Sequence, residues 1–131
     1  MRDSLLTYDN DRLVMTWEAF DAYVEKLVKM LRAHADAEGM AFTGDYGFPR
    51  GGLCLAVKLS HLMGLPLLLA PAPNCVVCDD ISDSGETLLK YQRSAQYVTV
   101  TLLARQGTAA MPAYYGELVE TGHWVLFPWE A

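Results

Sequence analysis

Apolar positions recur along this chain with two different periods. Between residues 17 and 37 they fall on one side of a helix, at Phe20, Tyr23, Val24, Leu27 and Leu31. Thr16 is placed to cap its start and Gly39 to end it. Residues 53–63 carry a second helical stripe, with Leu55, Leu59 and Leu62, stopped by Gly64. Elsewhere the apolar residues run on continuously or alternate. Residues 5–8, 40–46, 65–69, 75–80 and 97–104 read as strands, and 86–93 as a third helix. Asp9-Asn10-Asp11 reads as a turn, and Ala70-Pro71-Ala72-Pro73-Asn74 as a short connector. The tail from Met111 is rich in aromatics: Tyr114, Tyr115, Trp124, Phe127 and Trp129. Strands apolar on both faces, alternating with helices, predict an α/β fold with a parallel-sheet core flanked by helices. The 131 residues contain no repeat and no long linker, which predicts a single domain spanning 1–131.

Charge narrows the function classes. The formal net charge of −6 supplies no basic face, which argues against a nucleic-acid partner. No apolar run reaches the roughly 18 residues of a membrane span. Met1-Arg2-Asp3-Ser4 lacks the apolar stretch of a signal peptide. These readings point to a cytoplasmic protein without a membrane partner.

The candidate chemistry concentrates in residues 75–88, Cys-Val-Val-Cys-Asp-Asp-Ile-Ser-Asp-Ser-Gly-Glu-Thr-Leu. An apolar strand ends in paired carboxylates, Asp79 and Asp80. Asp83, Ser84, Gly85, Glu86 and Thr87 then form a hydroxyl-rich loop leading into a helix. Backbone amides and hydroxyls in such a loop can cradle a phosphate. Carboxylates just before it can bind sugar hydroxyls or a divalent cation. Together they imply a phosphorylated sugar as ligand. In parallel sheets ligands bind beyond the carboxyl ends of the strands, and the Gly-rich turn at 47–52 falls there as well. Cys75 and Cys78 enclose a strand-like pair and point to opposite faces, so core packing accounts for them. Cys54 has no pairing partner in this pattern, and three cysteines make no disulfide framework. His34, His61 and His123 show no metal-ligand spacing.

Val-Val-Cys-Asp-Asp-Ile-Ser-Asp-Ser-Gly-Glu-Thr-Leu resembles the phosphoribosyl-pyrophosphate (PRPP) signature of type I phosphoribosyltransferases. Gly-Phe-Pro-Arg-Gly-Gly-Leu at 47–53 is similar to their pyrophosphate loop. Trp-Val-Leu-Phe-Pro-Trp-Glu at 124–130 resembles the hood of the bacterial and archaeal xanthine-guanine and hypoxanthine members. The resemblance implies a purine phosphoribosyltransferase that uses PRPP, a 6-oxopurine and Mg²⁺. It also implies a small hood formed mainly by about 111–131 with the N-terminal segment, and a homodimer. By the same resemblance, Asp79 and Asp80 hold the ribose hydroxyls with Mg²⁺ nearby, and residues 83–87 hold the 5′-phosphate. Asp83 accepts a proton near purine N7. Arg50, Gly51 and Gly52 bind pyrophosphate. Arg105 donates to the oxygen at C6, Trp124 stacks on the base, and the Val125 backbone meets its edge. Glu130 helps a second metal.

One segment departs from that pattern. Family members carry a long mobile loop before the signature strand, and only residues 70–74 stand there, uncharged and with two prolines. Such a connector cannot fold over a crevice. Either residues 8–12 or a partner subunit covers the site, or the protein binds PRPP or a nucleotide as a regulator without turnover. An open, wet site would also suit a hydrolase.

Overall fold

The computed structural model describes residues 4–131. The chain opens with a hairpin, β1 (Thr7–Asp9) and β2 (Arg12–Val14), and then enters helix α1 (Trp17–Glu38). The Thr16 side chain accepts from the Ala19 amide at 3.1 Å, and Gly39, at φ +60, ends the helix. These are the predicted caps in the predicted places. The main sheet follows: β3 (Asp45–Gly47), helix α2 (Leu53–Met63), β4 (Cys75–Ser82), helix α3 (Glu86–Gln92), β5 (Tyr97–Arg105) and β6 (Tyr114–Val119). Its strands run in sequence order, β3-β4-β5-β6, with every pairing parallel. Finally β7 (Trp124–Leu126) pairs parallel with β2, and a 3₁₀ turn (Pro128–Glu130) completes a small second sheet, β1-β2-β7.

Two layers of side chains hold the main sheet. Helix α1 buries Phe20, Val24, Leu27 and Leu31, and α2 buries Leu55, Ala56 and Leu59, in one cluster with Val76, Cys78, Val100 and Leu102. On the opposite face Leu88 of α3 packs with Cys75, Val77 and Ala110. Cys75 and Cys78 therefore lie on different faces, as the strand period requires. Burial, as the first cause, pushes both thiols above the ordinary range.

Three expectations change. The strand expected over 40–46 forms only at Asp45–Gly47, because 40–44 are spent on loop contacts, such as Thr43 N donating to Asn74 O. The strand expected over 65–69 reduces to one parallel bridge between Leu67 and Asp45. Pro66 lacks an amide, and its carbonyl accepts from Asp45 N at 2.9 Å. The hood is smaller than 111–131, because β6 joins the main sheet beside β5. Residues 124–130 and the N-terminal hairpin make up the remainder.

Strands β5 and β6 are parallel neighbours, yet residues 106–113 between them form no helix. This crossover lies against the loop that opens α3. Ala109 N donates to Ser84 O at 3.1 Å, and Ser82 Oγ donates to Ala110 O at 2.7 Å.

Candidate active site at the carboxyl ends of the strands

The turn after β3 and the turn after β4 meet. Phe48 N donates to Cys78 O at 3.0 Å, which ties the 47–52 turn to β4. Gly52 lies so close that a Cβ there would strike Cys78 O, with Phe48 N at 2.8 Å. A Cβ on Gly51 would collide with the Asp80 carboxylate. Glycine is required at both positions because backbone and carboxylate occupy the side-chain space. The Pro49–Arg50 peptide is cis, and the Arg50 side chain is exposed beside it.

The two carboxylates serve different spaces. Asp80 lines a cavity of about 640 Å³ together with Arg50, Gly51, Trp129 and Glu130. Asp79 lines a smaller one, about 90 Å³, with Ser82, Asp83, Ser84, Gly85 and Thr87. Each carboxylate is braced by a neighbouring amide. Asp80 N donates to Asp79 Oδ1 at 2.9 Å, and Ile81 N donates to Asp80 Oδ1 at 2.8 Å. Burial first, and the Asp80 charge second, push Asp79 up to about 7. Burial likewise raises Asp80, and Glu130 adds to it. Among the described residues neither carboxylate has an ion-pair partner. Acceptors that take up charge so reluctantly suit a cation or hydroxyl donors as neighbours. Among the described residues no three His, Cys, Asp or Glu side chains converge on one metal position. A cation here would take part of its shell from ligand oxygens, which is how Mg²⁺ is commonly held.

The loop after β4 is shaped from behind. Gly85 has φ +90, and a Cβ on it would strike the Ala110 amide, with Thr108 Oγ1 at 2.9 Å. Ser82 Oγ also pairs with Thr108 Oγ1 at 2.9 Å. Asp83, Ser84 and Thr87 are exposed around the small cavity, and Glu86 is exposed outside its lining. The backing residues Thr108, Ala109 and Ala110 were not singled out from the sequence; Gly107-Thr108 after a strand was the available signal.

Arg105 makes contacts that the resemblance does not imply. The Arg105 guanidinium is buried, and its terminal nitrogens do not face an open base site. Nη1 donates to Glu120 O at 2.8 Å, Nη2 donates to His123 O, and Nε lies 3.4 Å from Asp83 Oδ1. Val125 is buried, and Trp124 is 69% exposed, at the edge of the hood. Trp129 stacks on Phe127 at 5.0 Å and walls the larger cavity. Glu130 reaches that same cavity while its Oε1 accepts from Phe127 N at 3.0 Å.

One buried acid was missed. Asp45 is wholly inaccessible, and neither carboxylate oxygen has a hydrogen-bond partner among the described residues. Burial pushes it up to about 7. An acidic residue inside an otherwise apolar strand was the signal.

Comparison with known proteins places this geometry. No protein-family model matches the chain, and neither does any curated protein. Solved structures do. A purine phosphoribosyltransferase from Pyrococcus horikoshii Ot3 is 29% identical, with a TM-score of 0.72 over 92% of this chain and 95% of that one. A xanthine-guanine-hypoxanthine phosphoribosyltransferase from Helicobacter pylori is 18% identical, with a TM-score of 0.71 over 90% and 92%. A Neisseria gonorrhoeae protein solved with bound ppGpp is 17% identical, with a TM-score of 0.69 over 95% and 92%. The fold is that of the type I phosphoribosyltransferases.

Proposed function

We propose that the chain is a purine phosphoribosyltransferase, which joins a 6-oxopurine to the ribosyl carbon of PRPP and releases pyrophosphate. The observation that carries this reading is the contact between two loops. Gly51 of the 47–52 turn lies against the Asp80 carboxylate, so a cavity of about 640 Å³ and one of about 90 Å³ flank one acidic pair. A ligand with phosphate groups at both ends of a sugar suits that arrangement. The likeness to the Pyrococcus purine phosphoribosyltransferase supports it.

In this reading the amides and hydroxyls of residues 83–87 hold the 5′-phosphate, and Asp79 and Asp80 accept from the ribose hydroxyls. Arg50 offers a planar fork to the leaving pyrophosphate oxygens. Mg²⁺, bound through phosphate oxygens near Asp79 and Asp80, would supply further neutralisation of the leaving group. Asp83, exposed at the loop, takes the proton that the attacking purine must lose. Trp124 offers an aromatic face to the base, and Trp129 walls the pyrophosphate side. The test is turnover with PRPP, Mg²⁺ and hypoxanthine, guanine or xanthine. We expect Asp83→Asn to slow turnover by about 10²-fold or more while PRPP binding by calorimetry is retained. Absence of product with all three bases at high enzyme concentration would refute the proposal.

A second reading is a nucleotide-binding regulator. It is favoured by the 70–74 connector, which carries no helix or strand and leaves Leu69 97% exposed. The Neisseria protein, which shares this fold, was solved with bound ppGpp, and that supports this reading. Tight nucleotide binding without turnover would favour this reading.

A further inference from the structure

We propose that Arg105 is a positioning residue, whose one buried guanidinium holds the Asp83 carboxylate and the 120–123 turn together and thereby sets where Trp124 stands relative to the phosphate loop. Only the kinetic arm of its test rests on the transferase reading.

A guanidinium is a rigid planar fork of five N–H donors. At 7% exposure, Arg105 has given up nearly all its water. Burying a cation costs several kcal/mol unless acceptors surround it. Three acceptors do so: the Glu120 carbonyl, the His123 carbonyl and the Asp83 carboxylate. Two of them bracket a single turn, and the third belongs to the loop after β4.

That turn has little else to fix it. Glu120, Thr121 and Gly122 are exposed, and Gly122 sits at φ +96. His123 adds an edge-on ring contact with Tyr8 at 5.4 Å. Trp124 follows at once, opening a strand of only three residues. Asp83 is also loosely held, since its side chain is 68% exposed. The proton acceptor and the aromatic face assigned to the base therefore share one rigid connector. Lysine cannot replace it, because a compact ammonium on a flexible stem cannot span three acceptors set in a plane. The terminal nitrogens already face carbonyls, so Arg105 acts on the base through the turn and through Asp83.

The experiment compares the full chain with Arg105→Lys, Arg105→Met and Asp83→Asn by amide hydrogen exchange without ligand. In Arg105→Lys, exchange over 119–124 and 83–87 should quicken together by about tenfold, the size expected for one or two lost charge-assisted hydrogen bonds. Strands β4 and β5 should keep wild-type protection. Asp83→Asn alters an exposed side chain and should still quicken the distant 119–124 segment, by about threefold for a half-exposed ion pair. In turnover, Arg105→Lys should raise the KM for the purine about tenfold and move that for PRPP less than about threefold. Lysine restoring exchange protection or the purine KM would overturn the proposal, because charge alone would then suffice. So would unchanged exchange over 119–124 in Asp83→Asn, which also decides the matter if the Arg105 variants do not fold. A wild-type protein without transferase activity would remove the catalytic reading, and exchange alone would then judge the positioning role.

Discussion

Replacing Asp45 with Asn should make the protein more stable at neutral pH and remove part of its pH dependence. Asp45 is fully buried under α2, and neither carboxylate oxygen has a partner among the described residues. Burial strips water from the ionised carboxylate and outweighs the small opposing pull of its own backbone amide, so the acid keeps its proton up to about 7 instead of 3.8. The sign follows from linkage. The folded-state value is raised, so the contribution is fully present below pH 3.8 and is lost as pH rises towards 7. At about 1.4 kcal/mol per tenfold change in proton affinity, the loss across that window is about 4 kcal/mol. Asn has nearly the same shape and cannot ionise. Urea unfolding at pH 4 to 8 should show the two stability curves separating as pH rises. By pH 8 the variant should have gained about 4 kcal/mol on the wild type relative to pH 4, roughly 15 °C in Tm. Asp79 bends both curves in the same direction and cancels in the difference. Parallel curves would show that Asp45 ionises freely in the folded protein, and the argument from burial would fail.

Two further outcomes test the site. Gly51→Ala places a methyl group on the Asp80 carboxylate and should weaken PRPP or pyrophosphate binding by about tenfold or more, and it should also lower thermal stability, since the braced carboxylate or the turn must shift to admit the methyl. Because Asp79 holds a proton up to about 7, binding of PRPP with Mg²⁺ should release a proton below that pH and tighten as pH rises through it. Calorimetry in two buffers of different ionisation enthalpy measures the release; zero release at pH 6 would mean that Asp79 stays protonated in the complex or is already ionised without ligand.

The parts of this structure legible in the sequence are those where a local rule and the tertiary fold agree. Thr16 and Gly39 bound α1 through contacts confined to a few residues. The β4 segment reads as a buried strand because both its faces are covered, and its acids come at the strand's end, where the sheet opens. What stayed hidden depends on distant partners. The three residues of β2 are strand only because β1 and β7 flank them. Tyr114–Val119 looks like an aromatic tail until it pairs with β5 across a crossover that has no helix to announce it. The engagement of Arg105 was equally out of reach, since two of its three acceptors are backbone carbonyls and any residue could have supplied them. The resemblance implied a contact between Arg105 and the base, and the structure shows its guanidinium between the loop after β4 and the 120–123 turn.

The pairing of β7 with β2 has a consequence for how the protein assembles during synthesis. Each strand of the main sheet lies beside its predecessor in the chain, so the sheet can grow outward from β3 as successive strands emerge. The small sheet obeys a different order: β2 is made before every strand of the main sheet and waits for β7, which follows the last of them. Only then do Trp129 and Glu130 reach Arg50 and Asp80. A nascent chain that stops at β6 would already hold both loops on a formed sheet, yet its larger cavity would have no wall on the hood side. Closing that wall is a late, long-range step, separable from formation of the sheet.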